Sequence, residues 1–173
     1  GWSGEWISFS GVTDCYQPLE SVYQLTRRCI EVCIRHRQTI GVVTKGYLVI
    51  RDLELLAKLN AVASAAVFMS IAFADDEMAR AIEPGAPPPS RRFEALRMLQ
   101  AAGIPTGVMV APLIPGLNDR DIPAILERAA DCGAKQAHYV ALRLPGSVED
   151  VFLSRLRERL PLHADRVSAR IRD

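Results

Sequence analysis

The sequence predicts an α/β fold, an open partial parallel (β/α) barrel of about five βα units. Three observations predict it. Short runs of apolar and β-branched residues alternate with longer stretches whose apolar residues recur every three to four positions. Those stretches are long enough to act as helical crossovers, which join parallel strands with a right-handed sense. The run at residues 65–73 is nearly all apolar, as suits a parallel strand covered on both sides.

The elements follow in order. A first strand is expected at residues 6–12, and after Pro18 a helix runs to about Arg37 with Leu19, Val22, Thr26, Ile30, Cys33 and Ile34 on one face. A second strand at 39–44 precedes a helix carrying Leu53, Leu56, Leu59 and Val62. The third strand, 65–73, leads through a loop at 83–89 to a helix for which Ser90 is a natural N-cap and Gly103 a natural stop. A fourth strand at 106–113 ends in a turn at 114–118. Asn118 or Asp119 can then cap a helix bearing Ile122, Ile125, Leu126 and Ala129 that stops at Gly133. The fifth strand, 138–144, closes on Pro145-Gly146, and Ser147 with Asp150 makes a capping-box-like start for a last long helix.

The 173 residues suit one domain spanning 1–173 with one core. Five units cannot close an eight-stranded barrel of about 250 residues. The sheet should stay open with an unpaired first edge, and a long bare edge invites pairing. Self-association that covers residues 6–9, and hence a homo-oligomer, is expected.

Composition narrows the partners. Twenty-one basic residues face 20 acidic ones, a formal net charge of +1, so no general field draws the chain to nucleic acid or an anionic membrane. No apolar run approaches the roughly 20 residues of a membrane span, and no basic start with an apolar signal core is present. With Cys15, Cys29, Cys33 and Cys132 far apart, reduced thiols and a cytoplasmic location are expected. Cys29 and Cys33, four apart on an apolar helix face, read as small core residues. No metal set is expected from these cysteines, because cluster motifs need thiolates converging from a loop. His36, His138 and His163 show no ligand spacing either.

Parallel α/β folds bind ligands beyond the C-terminal ends of their strands. Nearly every strand here delivers polar groups at that place. The first gives Gly11, Thr13 and Asp14, the second Thr44 and Lys45, the third Ser70 and Asp75, the fourth Asn118, and the fifth Arg143. Arg91 and Arg92 open a helix, where cations are disfavoured, so one of them has reason to grip a carboxylate; Glu83 is a candidate partner. The bland reading of each residue is a cap or a solvated loop group, and only the set favours a site on one face.

The runs Thr13-Asp14-Cys15-Tyr16-Gln17-Pro18-Leu19-Glu20, Leu25-Thr26-Arg27, Thr44-Lys45, Ile50-Arg51-Asp52, Ala102-Gly103-Ile104-Pro105 and Ala111-Pro112-Leu113-Ile114-Pro115-Gly116-Leu117-Asn118-Asp119 resemble a bacterial radical S-adenosylmethionine family. Leu142-Arg143-Leu144-Pro145 and Arg170-Ile171-Arg172 fit it as well. That family is often labelled a DNA repair photolyase and is related to spore photoproduct lyase. The narrower likeness rests on Thr44-Lys45, Ser70-Ile71, Glu83-Pro84-Gly85, Arg92 and Ala111-Pro112.

The resemblance implies a six-unit partial barrel with a [4Fe-4S] cluster on a CxxxCxxC loop after its first strand. It implies reductive cleavage of S-adenosylmethionine to a 5′-deoxyadenosyl radical, a lyase-like outcome, and nucleic acid as a partner by likeness alone. It places the cofactor's amino group near residues 11–14 and its ribose near Ser70, with Lys45 and Arg92 approaching it and Asn118 on the same face. The first strand and cysteine loop of that family have no counterpart here. The chain therefore reads as an N-terminally truncated fragment, inactive by itself. Gly46 stands where a serine is expected after the threonine–lysine pair. Two other readings compete: a non-catalytic α/β binding protein that has lost the iron–sulfur loop, and a barrel lyase using Lys45 as a Schiff-base amine.

Overall fold

The computed structural model describes residues 4–172. One five-stranded sheet runs in the order β1 (Ile7–Phe9), β2 (Ile40–Thr44), β3 (Ala65–Ser70), β4 (Thr106–Leu113) and β5 (Gln136–Ala141), every neighbouring pair parallel. Between and after them lie α1 (Glu20–Tyr23), α2 (Leu25–His36), α3 (Leu53–Val62), α4 (Asp76–Ile82), α5 (Pro89–Ala101), α6 (Ile122–Asp131), α7 (Val148–Arg159) and α8 (Pro161–Arg172). The expected open parallel α/β sheet is present, and β1 pairs with β2 alone among the described residues.

Side chains alternate across a strand, and the two faces of this sheet differ. Ile40, Val42, Ala65, Val67, Met69, Val108 and Val110 are buried with Ile30, Leu56, Leu59, Phe93, Leu96 and Ile125 from the covering helices, forming the main core. The other face carries Val43, Phe68 and Gly107 in one lateral row and Ser70, Met109 and His138 in the next. The third strand is thus helix-covered on one side, not both. A second core of Ala72, Phe73, Ala79, Ile114, Leu117, Leu156, Ala164 and Val167 packs α4, α7 and α8 beyond the ends of β3 and β4. With α7 and α8 placed there, β5 is exposed along its whole length.

Several expected boundaries shift for local reasons. Ser10 adopts φ 85, which ends β1 after Phe9, well short of residue 12. Gln24 adopts φ 51 and breaks the first helix into α1 and α2. That break turns Leu19 and Val22 outward, leaving them 60% and 72% exposed, while Thr26, Ile30 and Cys33 keep the core face. Cys29 is exposed and so is not a core residue. A 3-10 segment, Tyr47–Asp52, precedes α3. Helix α5 starts from Pro88, two residues earlier than expected, because Pro89 suits the first helical residue. Ser90 instead gives its hydroxyl and N–H to Asp76 at 2.6 and 2.9 Å, which lowers the Asp76 pKa. Ser147 makes no side-chain cap, and Pro161 splits the last helix in two.

A buried ionic network ties α1, α2 and the 3-10 segment together. Asp52, with no exposed surface, accepts from Arg27 Nη1 at 2.6 Å, Arg51 Nη2 at 2.7 Å, Arg51 Nε at 3.0 Å and Tyr16 Oη at 3.2 Å. Glu20 accepts from Arg51 Nη2 at 2.8 Å and caps α2 through Thr26 N at 3.0 Å and Arg27 N at 3.3 Å. Burial alone would raise both carboxyls, but the guanidinium and N–H bonds hold both below their ordinary values. Burial pushes the Tyr16 phenol up, with Asp52 adding to the shift.

The sign for stability follows from the depressed carboxyls. Their contribution is present above the unfolded carboxylate range and is lost as pH falls through the folded pKa values, which lie below those of free carboxyls. Thermal unfolding followed from pH 7 to pH 3 should show its steepest loss at the acid end. Glu20→Gln should flatten that loss, and an unchanged slope in this variant would remove Glu20 from the account.

Candidate active site at the strand ends

A cavity of ≈ 390 Å³ opens at the C-terminal ends of β1 to β4, lined by residues 10–14, Val43, Thr44, Lys45, Ser70, Met109, Ala111 and Val140. Five of the seven expected site residues, Gly11, Thr13, Asp14, Lys45 and Ser70, meet on its walls. Arg92 and Asn118 do not.

Asp14 organises the rim. Its Oδ1 accepts from Tyr16 N at 2.8 Å and Thr44 Oγ1 at 2.6 Å, and its Oδ2 accepts from Lys45 N at 2.7 Å. Both carboxylate oxygens are thereby engaged by the protein, and the loop after β1 is locked to the end of β2. Ser10 Oγ accepts from Cys15 N at 3.1 Å within the same loop. Burial pushes the Cys15 thiol up to about 11, the opposite of what a reactive or ligating thiolate requires. A Cβ on Gly11 would meet nothing within 4 Å, so its place on the rim is open.

Gly46 belongs to this lock. A Cβ there would lie 2.7 Å from both Tyr16 Cβ and Tyr16 O. Serine is excluded by the close approach of the two backbones, which explains the departure noted in the sequence. Gly46→Ser should cost about 1–3 kcal/mol in denaturant unfolding, whereas Gly11→Ala should be close to neutral. Equal effects would contradict this assignment.

Lys45 stands at the rim with its side chain one third exposed, and Nζ lies 3.4 Å from Glu83 Oε1. That oxygen is buried and accepts no hydrogen bond among the described residues, so the lysine is its charge partner. On its far side the Lys45 chain also borders a second cavity of ≈ 550 Å³, between Tyr16–Pro18 and the loop at 85–87. Ser70, at the end of β3, donates to Ala111 O at 3.0 Å.

Arg92 is 1% exposed and acts behind the cavity wall. Its Nη1 donates to Ser70 O at 2.9 Å, Nε to Pro87 O at 2.6 Å and Nη2 to Glu83 Oε2 at 2.7 Å. Glu83 is therefore the carboxylate partner expected for an arginine here. The guanidinium pins the 83–89 loop to the end of β3 and reaches the cavity wall only through Ser70 and, by way of Glu83, Lys45. Asn118 is wholly buried: Nδ2 donates to Ala72 O at 2.7 Å and Pro112 O at 2.9 Å, and Oδ1 accepts from Ile114 N at 2.7 Å. It staples the ends of β3 and β4 and presents no free group.

Comparison with known proteins bears on this geometry. Residues 4–129 match the family model of the Radical SAM superfamily. The chain belongs to the radical SAM superfamily. An uncharacterized protein of Mycobacterium tuberculosis is 32% identical over 162 residues, covering 92% of this chain and 48% of that protein. An uncharacterized protein of Acidianus two-tailed virus is 31% identical over 166 residues, covering 93% of this chain and 54% of its own length. One from Methanocaldococcus jannaschii is 33% identical over 113 residues, covering 65% of this chain and 42% of that protein. The chain thus spans about half the length of these relatives.

The superfamily implies S-adenosylmethionine and a [4Fe-4S] cluster. The cysteines of this chain do not fit the cluster. Cys29 is exposed on α2, Cys33 and Cys132 are buried in the core, and Cys15 is a partly buried, protonated thiol in the loop after β1. No group of three His, Cys, Asp or Glu suited to a metal occurs among the described residues. The strand-end cavity does fit the other group. It offers an ammonium at Lys45 and hydroxyls at Ser10, Thr13 and Ser70. No helix among the described residues is long and apolar enough to cross a membrane.

Proposed function

We propose that this chain supplies part of the S-adenosylmethionine-binding face of a radical S-adenosylmethionine enzyme, with a lyase of the spore photoproduct lyase or DNA repair photolyase kind as the nearest chemistry. The observation that carries the reading is the meeting of Gly11, Thr13, Lys45 and Ser70 on one cavity at the C-terminal strand ends, where parallel α/β folds place their ligands. In this superfamily the cofactor supplies a carbon radical when a sulfur–carbon bond is cleaved reductively.

The roles assigned to this chain are those of binding and orientation. Lys45 holds the cofactor's carboxylate by a charge-assisted bond. Ser70 and Thr13 offer hydroxyls to the ribose, and Glu83 sets the direction of the Lys45 ammonium across 3.4 Å. Arg92 and Asn118 are positioning residues that keep the ends of β3 and β4 in place. Asp14 does the same for the rim between β1 and β2. No cluster chemistry is assigned to these residues, and the chain is proposed to be inactive alone. The Schiff-base reading fares less well, because an amine nucleophile is activated by desolvation, whereas Lys45 is one third exposed and faces a carboxylate.

Calorimetric titration with S-adenosylmethionine tests the reading without any need for turnover. Binding should be measurable with the chain alone and should weaken about tenfold or more in Lys45→Met, a loss of roughly 1.4 kcal/mol. Ser70→Ala should weaken it less. Unchanged binding in both folded variants would reject the cavity as the cofactor site.

A further inference from the structure

We infer that the outer edge of β5 is a self-association surface, which pairs as an antiparallel strand with β5 of a second copy of this chain across a two-fold axis. β5 ends the sheet and pairs with β4 alone among the described residues. Its residues, Gln136–Ala141, are exposed throughout. A bare strand edge is a template for another strand, and proteins that leave one in water guard it with charge, proline or a bulge. The run Gln136-Ala137-His138-Tyr139-Val140-Ala141 has no proline, glycine, lysine, arginine or carboxylate. The irregularity of the β4–β5 ladder lies between Val110 and Leu113, on β4, and leaves the outer edge of β5 regular. The opposite edge of the sheet is a poorer template. β1 has three residues, and Ile7 N–H donates inward to Thr39 O at 3.1 Å, so alternation turns only Ser8 of that strand outward.

The edge groups fix the register. Lys135 N–H donates to Thr106 O beside β5 at 3.0 Å. Successive residues of a strand alternate the side to which they turn N–H and C=O, so Gln136, His138 and Val140 turn theirs to the open edge. A two-fold that keeps each face of the sheet continuous must centre on a residue, because side chains alternate between the faces. Centred on His138, it pairs His138 with its own copy and Gln136 with Val140, and each of these pairs exchanges both of its backbone bonds. On the other face Tyr139, 70% exposed, comes to lie across the small Ala137 of the second copy. Lys135 then stands opposite Ala141. Centred on Tyr139 instead, the pairing sets Lys135 against Arg143 at both ends, and like charges directly opposite are destabilising. This self-match is what favours a second copy over an unrelated strand, and a formal net charge of +1 adds little repulsion between copies. The pairing also reaches the strand-end cavity. Val140 lines that cavity, and Gln136 of the second copy stands opposite it on the same face. Each copy thereby lends a carboxamide to the flank of the other's cavity, whatever that cavity binds.

Sedimentation velocity of the full chain across a series of concentrations should show a monomer–dimer equilibrium. Gln136→Pro removes one outward N–H from each copy and should raise the dissociation constant about tenfold. The parent sheet tolerates it, because proline suits the start of an edge strand whose N–H faces outward. His138→Lys sets two ammoniums across the axis and should raise the constant about fivefold. Circular dichroism checks that both variants are folded. A Cys29→Ser background removes the exposed thiol. In it, His138→Cys should be cross-linked by diamide, since its paired Cα atoms lie about 5.5 Å apart. Tyr139→Cys should not be, because its two copies sit diagonally, about 7–8 Å apart. A monomer at every concentration, or a dimer unmoved by both folded edge variants, would overturn the inference. So would cross-linking through Tyr139→Cys in place of His138→Cys, or hydrogen-exchange protection that rises with concentration at residues 7–9 and not at 136–141.

Discussion

Replacing Arg92 by leucine is expected to cost about 3–5 kcal/mol of stability, the range for breaking a buried ion pair from one side. The side chain is 1% exposed, and its three bonds go to Ser70 O, Pro87 O and Glu83 Oε2. Leucine leaves two carbonyls without their donor and a carboxylate, only 9% exposed itself, with Lys45 as its remaining charge partner. Lysine is no substitute, because a single ammonium cannot reach three acceptors in the fork geometry of a guanidinium. Equilibrium urea unfolding measures the loss. Arg92→Leu combined with Glu83→Leu should recover part of it, since the stranded charge is then removed. A double variant no more stable than the single one would show that the ion pair is not the cause.

Asp52→Ala is the second large effect. Its carboxylate is fully buried and receives four bonds from Arg27, Arg51 and Tyr16. Removing it leaves two guanidiniums whose remaining carboxylate partners are Glu20 for Arg51 and, at 4.0 Å, Glu31 for Arg27. Arg27 and Arg51 are 33% and 23% exposed and can turn partly to water, which places the loss near the lower end, about 3 kcal/mol. Asp52→Asn keeps the shape and part of the hydrogen bonding, and should cost less. If alanine and asparagine were equally mild, in urea unfolding, Asp52 would be a passive passenger of the 3-10 segment. The network also anchors Tyr16, whose backbone N–H bonds Asp14, so loosening it should carry through to the cavity rim.

These two residues show what could be read from the sequence and what could not. The sheet was legible because each strand is an apolar run and each crossover has helical periodicity, properties local to a few residues. Placement of residues 11–14, Lys45 and Ser70 on one face was legible for a related reason, since parallel strands all end at the same side. Long-range polar pairing was not legible. Glu20, Arg27, Arg51 and Asp52 appear in the runs that carry the family resemblance, yet nothing local says that they meet in a buried network. One signal was available: a charged side chain at Asp52, four residues before Leu56, where the helical periodicity calls for a buried position. Arg92 and Asn118 mislead for the opposite reason, because their polar character serves backbone carbonyls of neighbouring strands instead of a ligand. The break at Gln24 also escapes pattern reading, for a left-handed φ at glutamine has no compositional mark.

The measurement that bears most directly on the strand-end site is mapping of covalent label after ultraviolet irradiation of the chain with radiolabelled S-adenosylmethionine. The account predicts label within peptides that contain residues 10–14, 44–45 or 70, reduced in Lys45→Met and displaced by excess unlabelled cofactor. Label that appears elsewhere on the chain, or that survives the Lys45 substitution and the competition unchanged, would contradict it.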